Sequence, residues 1–66
     1  MYVNQFFDKK PHNIRLKNWG RNYISIQLDN EEHLKILFWD NDNFEWSEYT
    51  FTINDLINPN WVEAEI

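Results

Sequence analysis

The sequence predicts an α+β fold. It reads as one domain over residues 1–66, a small antiparallel β-sheet or barrel-like domain of four to five strands, with a short N-terminal helix and a helical turn before the last strand. Three observations carry this reading. Residues 13–51 fall into segments of alternating apolar and polar residues, separated by clusters of Asn and Asp and by the single glycine. Thr52 and Asp55 have the spacing of a reciprocal helix cap, and Asn58-Pro59 follows as a stop. A chain of 66 residues holds one hydrophobic core at most.

The elements follow in order. Tyr2 to Lys10 suits one or two helical turns with Val3, Phe6 and Phe7 on one face, and Pro11 closes it because the residue before proline avoids the helical region. Asn13 to Trp19 alternates, with Ile14 and Leu16 on one side and Arg15, Lys17 and Trp19 on the other. Gly20 forms the corner of a hairpin. Asn22 to Leu28 turns Ile24, Ile26 and Leu28 inward and Tyr23, Ser25 and Gln27 outward. After the turn at 29–33, Leu34 to Trp39 carries large apolar groups on both faces, which predicts a central strand or one facing a second subunit. Asp40-Asn41-Asp42-Asn43 is a turn. Phe44 to Phe51 is the fourth strand, with a slip in its alternation that predicts a bulge near Ser47. The capped turn at Thr52–Asp55 buries Leu56 and Ile57, and Asn60 to Ile66 adds a last short strand, with Val62, Ala64 and Ile66 on one side of it.

Composition narrows the function classes. There is no cysteine, which excludes disulfides and thiolate metal sites. His12 and His33 lack metal-ligand spacing and sit beside no nucleophile motif, so neither a metal nor a cofactor is expected and the chain does not read as an enzyme. The acidic run at 40–45 lacks the glycine and terminal Glu of a calcium loop. No apolar run suits a signal peptide or a membrane span, so a cytoplasmic protein without membrane partners is expected. A core this small supplies roughly 3–5 kcal/mol, which makes homo-oligomerisation the expected aid.

The formal net charge is −5, and it is unevenly laid out. Lys9, Lys10, Arg15, Lys17 and Arg21 make a basic front, while nearly all acids follow from Asp29 onward. Duplex nucleic acid is repelled by most of such a surface, but a local basic patch suits a small phosphorylated ligand. Trp19, Tyr23, Trp39 and Tyr49 fall on faces opposite the inferred aliphatic core. Two readings stand: a thick core or subunit interface, or a platform on which a base stacks. Arg15, Lys17 and Arg21 around Trp19 divide likewise, between a solubilising edge and a phosphate grip.

Two stretches carry a resemblance. Arg15-Leu16-Lys17-Asn18-Trp19-Gly20 with the strand Tyr23-Ile24-Ser25-Ile26, and Phe51 to Glu63 with Asp55-Leu56-Ile57 and Trp61, together resemble the small phage proteins of the Thoeris anti-defence sponge family. Trp19 matches the family's first Trp; Asp55, Leu56, Ile57 and Trp61 match its ending. The N-terminal helix and the middle are shorter than in the family, and Asn60 stands where it has Asp. The resemblance implies a homo-oligomer that sequesters a cyclic nucleotide-type immune signal in the host bacterial cytoplasm without cleaving it. In that reading Trp19, Tyr23 and Trp39 stack on the ligand, Arg15, Lys17 and Arg21 hold its phosphates, and Asp55 accepts hydrogen bonds from ribose or base. The rival is an acidic inhibitor of a host defence protein, a DNA mimic whose carboxylates imitate phosphates.

Overall fold

The computed structural model describes residues 1–8, 10–31 and 33–65. The expectations that fall on Lys9 and Ile66, and the inward orientation of the Leu28 side chain, lie outside what is described. The strands are β1 (His12–Leu16), β2 (Tyr23–Leu28), β3 (Leu34–Asp40), β4 (Glu45–Glu48) and β5 (Trp61–Glu63). They form one antiparallel sheet in the order β4-β3-β2-β1-β5. A 3₁₀ turn at Val3–Phe6 precedes the sheet, and helix α1 (Ile53–Ile57) precedes β5. The fold is thus α+β with an open sheet, and the closed barrel-like alternative is set aside.

One face of the sheet is covered. Ile14, Ile24 and Phe38 stand opposite one another across β1, β2 and β3, as do Ile26 and Ile36 across β2 and β3. Val3 and Phe6 of the 3₁₀ turn and Trp61 of β5 complete the buried core with Ile14, Ile24 and Ile26. Burial of each such side chain contributes about 1.5–3 kcal/mol relative to exposure. The indole of Trp61 is fully buried, and its Nε1 donates to the Asp55 carbonyl at 2.9 Å, so no polar atom is stranded with it.

Helix α1 begins as its sequence predicts. Thr52 accepts from the Asp55 amide at 3.2 Å, while Asp55 Oδ2 accepts from the Thr52 amide at 3.0 Å. The N-terminal element is shorter than the expected Tyr2–Lys10: after Phe6 the chain leaves the helix, and Phe7 is exposed.

Several sequence expectations are corrected. β1 ends at Leu16, and residues 17–22 form the corner, so strand parity does not govern Trp19. Its ring packs edge-on against Phe38, Tyr49 and Trp61, on the covered face. Tyr49 is also on that face, stacked on Phe38. β4 has no bulge at Ser47: its register with β3 is unbroken from Asp40↔Glu45 to Leu37↔Glu48. The apparent slip arises because Trp46 points to the open face while Tyr49 and Phe51 pack against the core. Leu56 and Ile57 are exposed, 46% and 65%; α1 buries Asp55 instead.

Candidate functional site

Among the described residues no helix covers the other face of the sheet. Tyr23, Trp39 and Trp46 stand opposite one another on it, from β2 through β3 to β4. Trp46 meets Trp39 at 5.1 Å and Tyr23 edge-on at 5.8 Å between ring centroids. Phe44 extends this row, with its ring 6.2 Å from Trp39. Phe44 adopts φ +53 in the β3–β4 turn and is 73% exposed, a strained conformation for a bulky side chain.

At the end of this face lies an open-sided cleft of about 630 Å³. The β1–β2 corner supplies Arg15, Gly20 and Arg21, the sheet supplies Tyr23 and Trp39, and the opposite wall is the run Glu63-Ala64-Glu65. Gly20 takes φ +67, the left-handed region, with nothing within 4 Å of where a Cβ would stand. Glycine is therefore needed there for backbone shape and not for space. Asn22 Oδ1 accepts from the Asn41 amide at 2.9 Å, tying the corner to the β3–β4 turn and fixing the distance between the arginines and the aromatic rings.

Arg15 Nη1 donates to the carbonyls of Leu16 and Lys17 at 3.2 and 3.1 Å, which fixes the guanidinium against the corner. Among the described residues its Nε and Nη2 make no hydrogen bond, Arg21 makes none through its side chain, and neither arginine is ion-paired. The cleft thus has a cationic wall and an aromatic floor, closed on the far side by the chain at 63–65, whose Glu63 carboxylate turns to the covered face toward His12. Arginine grips phosphate through paired N–H groups.

Four of the expected site residues meet in this cleft: Arg15, Arg21, Tyr23 and Trp39. Three do not. Lys17 lines a separate recess of about 320 Å³ with Leu16, Asn18, Asn58 and Asn60. Trp19 is a core-packing side chain. Asp55 is 9% exposed, and its Oδ2 already accepts from the Tyr49 phenol at 2.8 Å and the Thr52 amide. Asn41, Glu63, Ala64 and Glu65 join the cleft without a sequence signal, because only the pairing of β5 with β1 brings residues 63–65 beside Arg15.

Away from the cleft, His12 Nε2 lies 2.7 Å from Asp8 and its Nδ1 3.8 Å from Glu63. The Lys10 amide, and then His12, hold the Asp8 carboxyl below the usual carboxylate range. Asp40 is held low by the Asn43 side chain and by the amides of Asp42 and Asn43, which makes the acidic run a self-satisfied turn. Among the described residues no group of three or more His, Asp or Glu side chains is arranged for a metal ion, and no helix is long and apolar enough to cross a membrane. No family model, curated protein or solved structure matches the chain.

Proposed function

We propose that this protein is a non-catalytic binding module that sequesters a small nucleotide-type signalling molecule, and so withholds it from a host anti-phage effector in the bacterial cytoplasm. The observation that carries the proposal is the convergence of Arg15, Arg21, Tyr23 and Trp39 on one cleft of about 630 Å³. That volume lies within the range of about 300–1,000 Å³ usual for small-molecule sites. The arginines take the phosphate, Tyr23 and Trp39 offer ring faces or edges to the base, and Glu65 accepts from ribose hydroxyls or exocyclic amines. The sequence resemblance to the anti-defence sponges supports the same reading.

The test is mass spectrometry of what the purified protein releases on denaturation, beside calorimetric titration with AMP, cyclic AMP and inorganic phosphate. A released nucleotide, or binding of a nucleotide but not of phosphate alone, is the expected result. A protein that releases nothing and binds none of the three overturns the proposal. The rival reading, an acidic inhibitor of a host protein, is favoured by the exposed Glu45 and Glu48 on β4 and the net charge of −5. The arginines of the cleft count against it, because a mimic of DNA gains nothing from a cationic wall.

A further inference from the structure

The two edges of the sheet differ. The β5 edge is capped at its start: the Trp61 amide donates to the Met1 carbonyl at 3.1 Å, and the Met1 nitrogen donates to the Trp61 carbonyl at 3.0 Å. The β4 edge is open, and all four of its residues are exposed. Tyr49 donates its amide to Ile36, in the same register that pairs Phe38 with Ser47 and Asp40 with Glu45. Antiparallel ladders alternate between bonded and unbonded pairs, so the main-chain N–H and C=O groups of Trp46 and Glu48 point away from β3, toward solvent.

We infer that β4 is the seat of a two-fold dimer, in which β4 of one protomer pairs antiparallel with β4 of its partner, centred on Ser47, to make a continuous ten-stranded sheet. The proposal does not depend on the ligand reading.

The register follows from bonding parity and charge. A symmetric pairing must match outward-facing groups with outward-facing groups, which leaves centres at Trp46, Ser47 or Glu48. A centre at Glu48 sets carboxylate against carboxylate. A centre at Trp46 bonds Trp46 to its own copy, and its next bonded pair would need Phe44, which lies in the turn at φ +53 and cannot continue a strand. A centre at Ser47 bonds Trp46 to the partner's Glu48, and Glu48 to the partner's Trp46, wholly within β4. Ser47 then faces its copy as an unbonded pair, where the main chains come nearest, about 4.5 Å between Cα atoms, and a small side chain fits. Met1 blocks the other edge at Trp61 and leaves Glu63 alone facing outward there, so β4 is the edge with room for a strand, and its isologous pairing closes at two copies. Trp46 and Trp39 of both copies, on the open face, then flank the two-fold axis as one aromatic band.

Light scattering and single-cysteine cross-linking test this on the full chain, which has no cysteine of its own. At high micromolar concentration the native protein is expected to scatter with the mass of two chains. Ser47→Cys is expected to form a disulfide dimer on mild oxidation, since an unbonded antiparallel pair lies within the Cα separation of about 4.4–6.8 Å that disulfides need. Asp42→Cys, at the turn away from the axis, is expected to stay largely uncross-linked. Ser47→Lys sets two ammonium groups face to face and is expected to halve the scattered mass while leaving the circular dichroism unchanged. A native chain that scatters as a monomer overturns the inference. A dimer in which Ser47→Cys cross-links no better than Asp42→Cys overturns it equally, whether or not Ser47→Lys folds.

Discussion

The Tyr49 hydroxyl donates to Asp55 Oδ2 across 2.8 Å, and that same oxygen accepts the Thr52 amide at 3.0 Å. One carboxylate thus caps α1 and anchors the segment that leaves β4. Burial first, then the hydrogen bond to Asp55 and its negative charge, push the Tyr49 phenol far above the ordinary tyrosine range. The folded state therefore holds this proton more tightly than the unfolded state. The resulting stability is complete below about pH 10, the unfolded value, and is lost as pH rises from there toward the folded one. Denaturant midpoints measured between about pH 9 and 11 are expected to fall more steeply for the native chain than for Tyr49→Phe. At neutral pH the same substitution is expected to cost about 1.5–3 kcal/mol, the range for a hydrogen bond to a charged group.

Trp19 separates packing from binding. Its ring meets Phe38, Tyr49 and Trp61 at 5.1–6.0 Å between centroids, on the side of the sheet away from the cleft. Trp19→Ala is expected to cost about 3 kcal/mol of stability. Trp19→Phe keeps part of the packing and is expected to cost less. Thermal melts beside AMP titrations check this. Unchanged affinity per folded molecule is the expected outcome; a loss of affinity without a melt shift would return Trp19 to the site.

Charge separates the two functional readings. Arg15→Gln with Arg21→Gln is expected to reduce nucleotide affinity by about 1.5–3 kcal/mol or more, the range for hydrogen bonds to a charged group. Glu45→Gln with Glu48→Gln is expected to change it little. In the mimic reading the order inverts, and neutralising the carboxylates weakens a protein partner most at low salt. An assay of host-defence inhibition with both double variants needs no knowledge of the ligand. Loss of function in the acidic pair alone, with both variants folded, decides for the mimic.

Two left-handed residues offer opposite outcomes. Phe44→Gly removes the strain of φ +53 and is expected to raise the denaturant midpoint by an amount worth about 0.5–1 kcal/mol. Gly20→Ala meets no atom, yet it places a Cβ at φ +67 and is expected to cost about 1 kcal/mol. A midpoint unchanged by Gly20→Ala would mean that the corner relaxes to another conformation.

Local chemistry was legible in the sequence where it closes within a few residues. The Thr52–Asp55 cap, the hairpin at Gly20 and the inward rows Ile14, Ile24, Ile26, Ile36 and Phe38 are all formed as the residues predict. Trp19 was not legible, because it lies past the end of β1, where alternation no longer sets direction. Tyr49 keeps the parity of β4, opposite to Trp46, and was missed because an unbroken alternation was read as a slip. Leu56 and Ile57 follow the apolar pattern of a buried helix face, yet a helix of five residues has only one inward position, and Asp55 takes it. Of the site, the basic-aromatic half was legible as neighbours in sequence. The far side at residues 63–65 was not, since it depends on β5 returning to the edge of β1.

That return divides the sheet by the time it takes to form. β2 and β3 meet across six positions, from Leu28 to Leu34, whereas Leu16 and Trp61 meet across 45, the difference of their numbers. Closing the longer loop costs about 2 kcal/mol more in chain entropy, at about 0.6 per doubling of length. The β2–β3–β4 meander can therefore assemble from local contacts while β1 still lacks its outer neighbour. Contact order places Trp61 late, and its indole seals the hydrophobic core, bonds α1 through the Asp55 carbonyl and brings residues 63–65 beside Arg15. On that order the cleft forms late in folding, and a chain stalled before that step would carry a finished aromatic face with no cleft beside it.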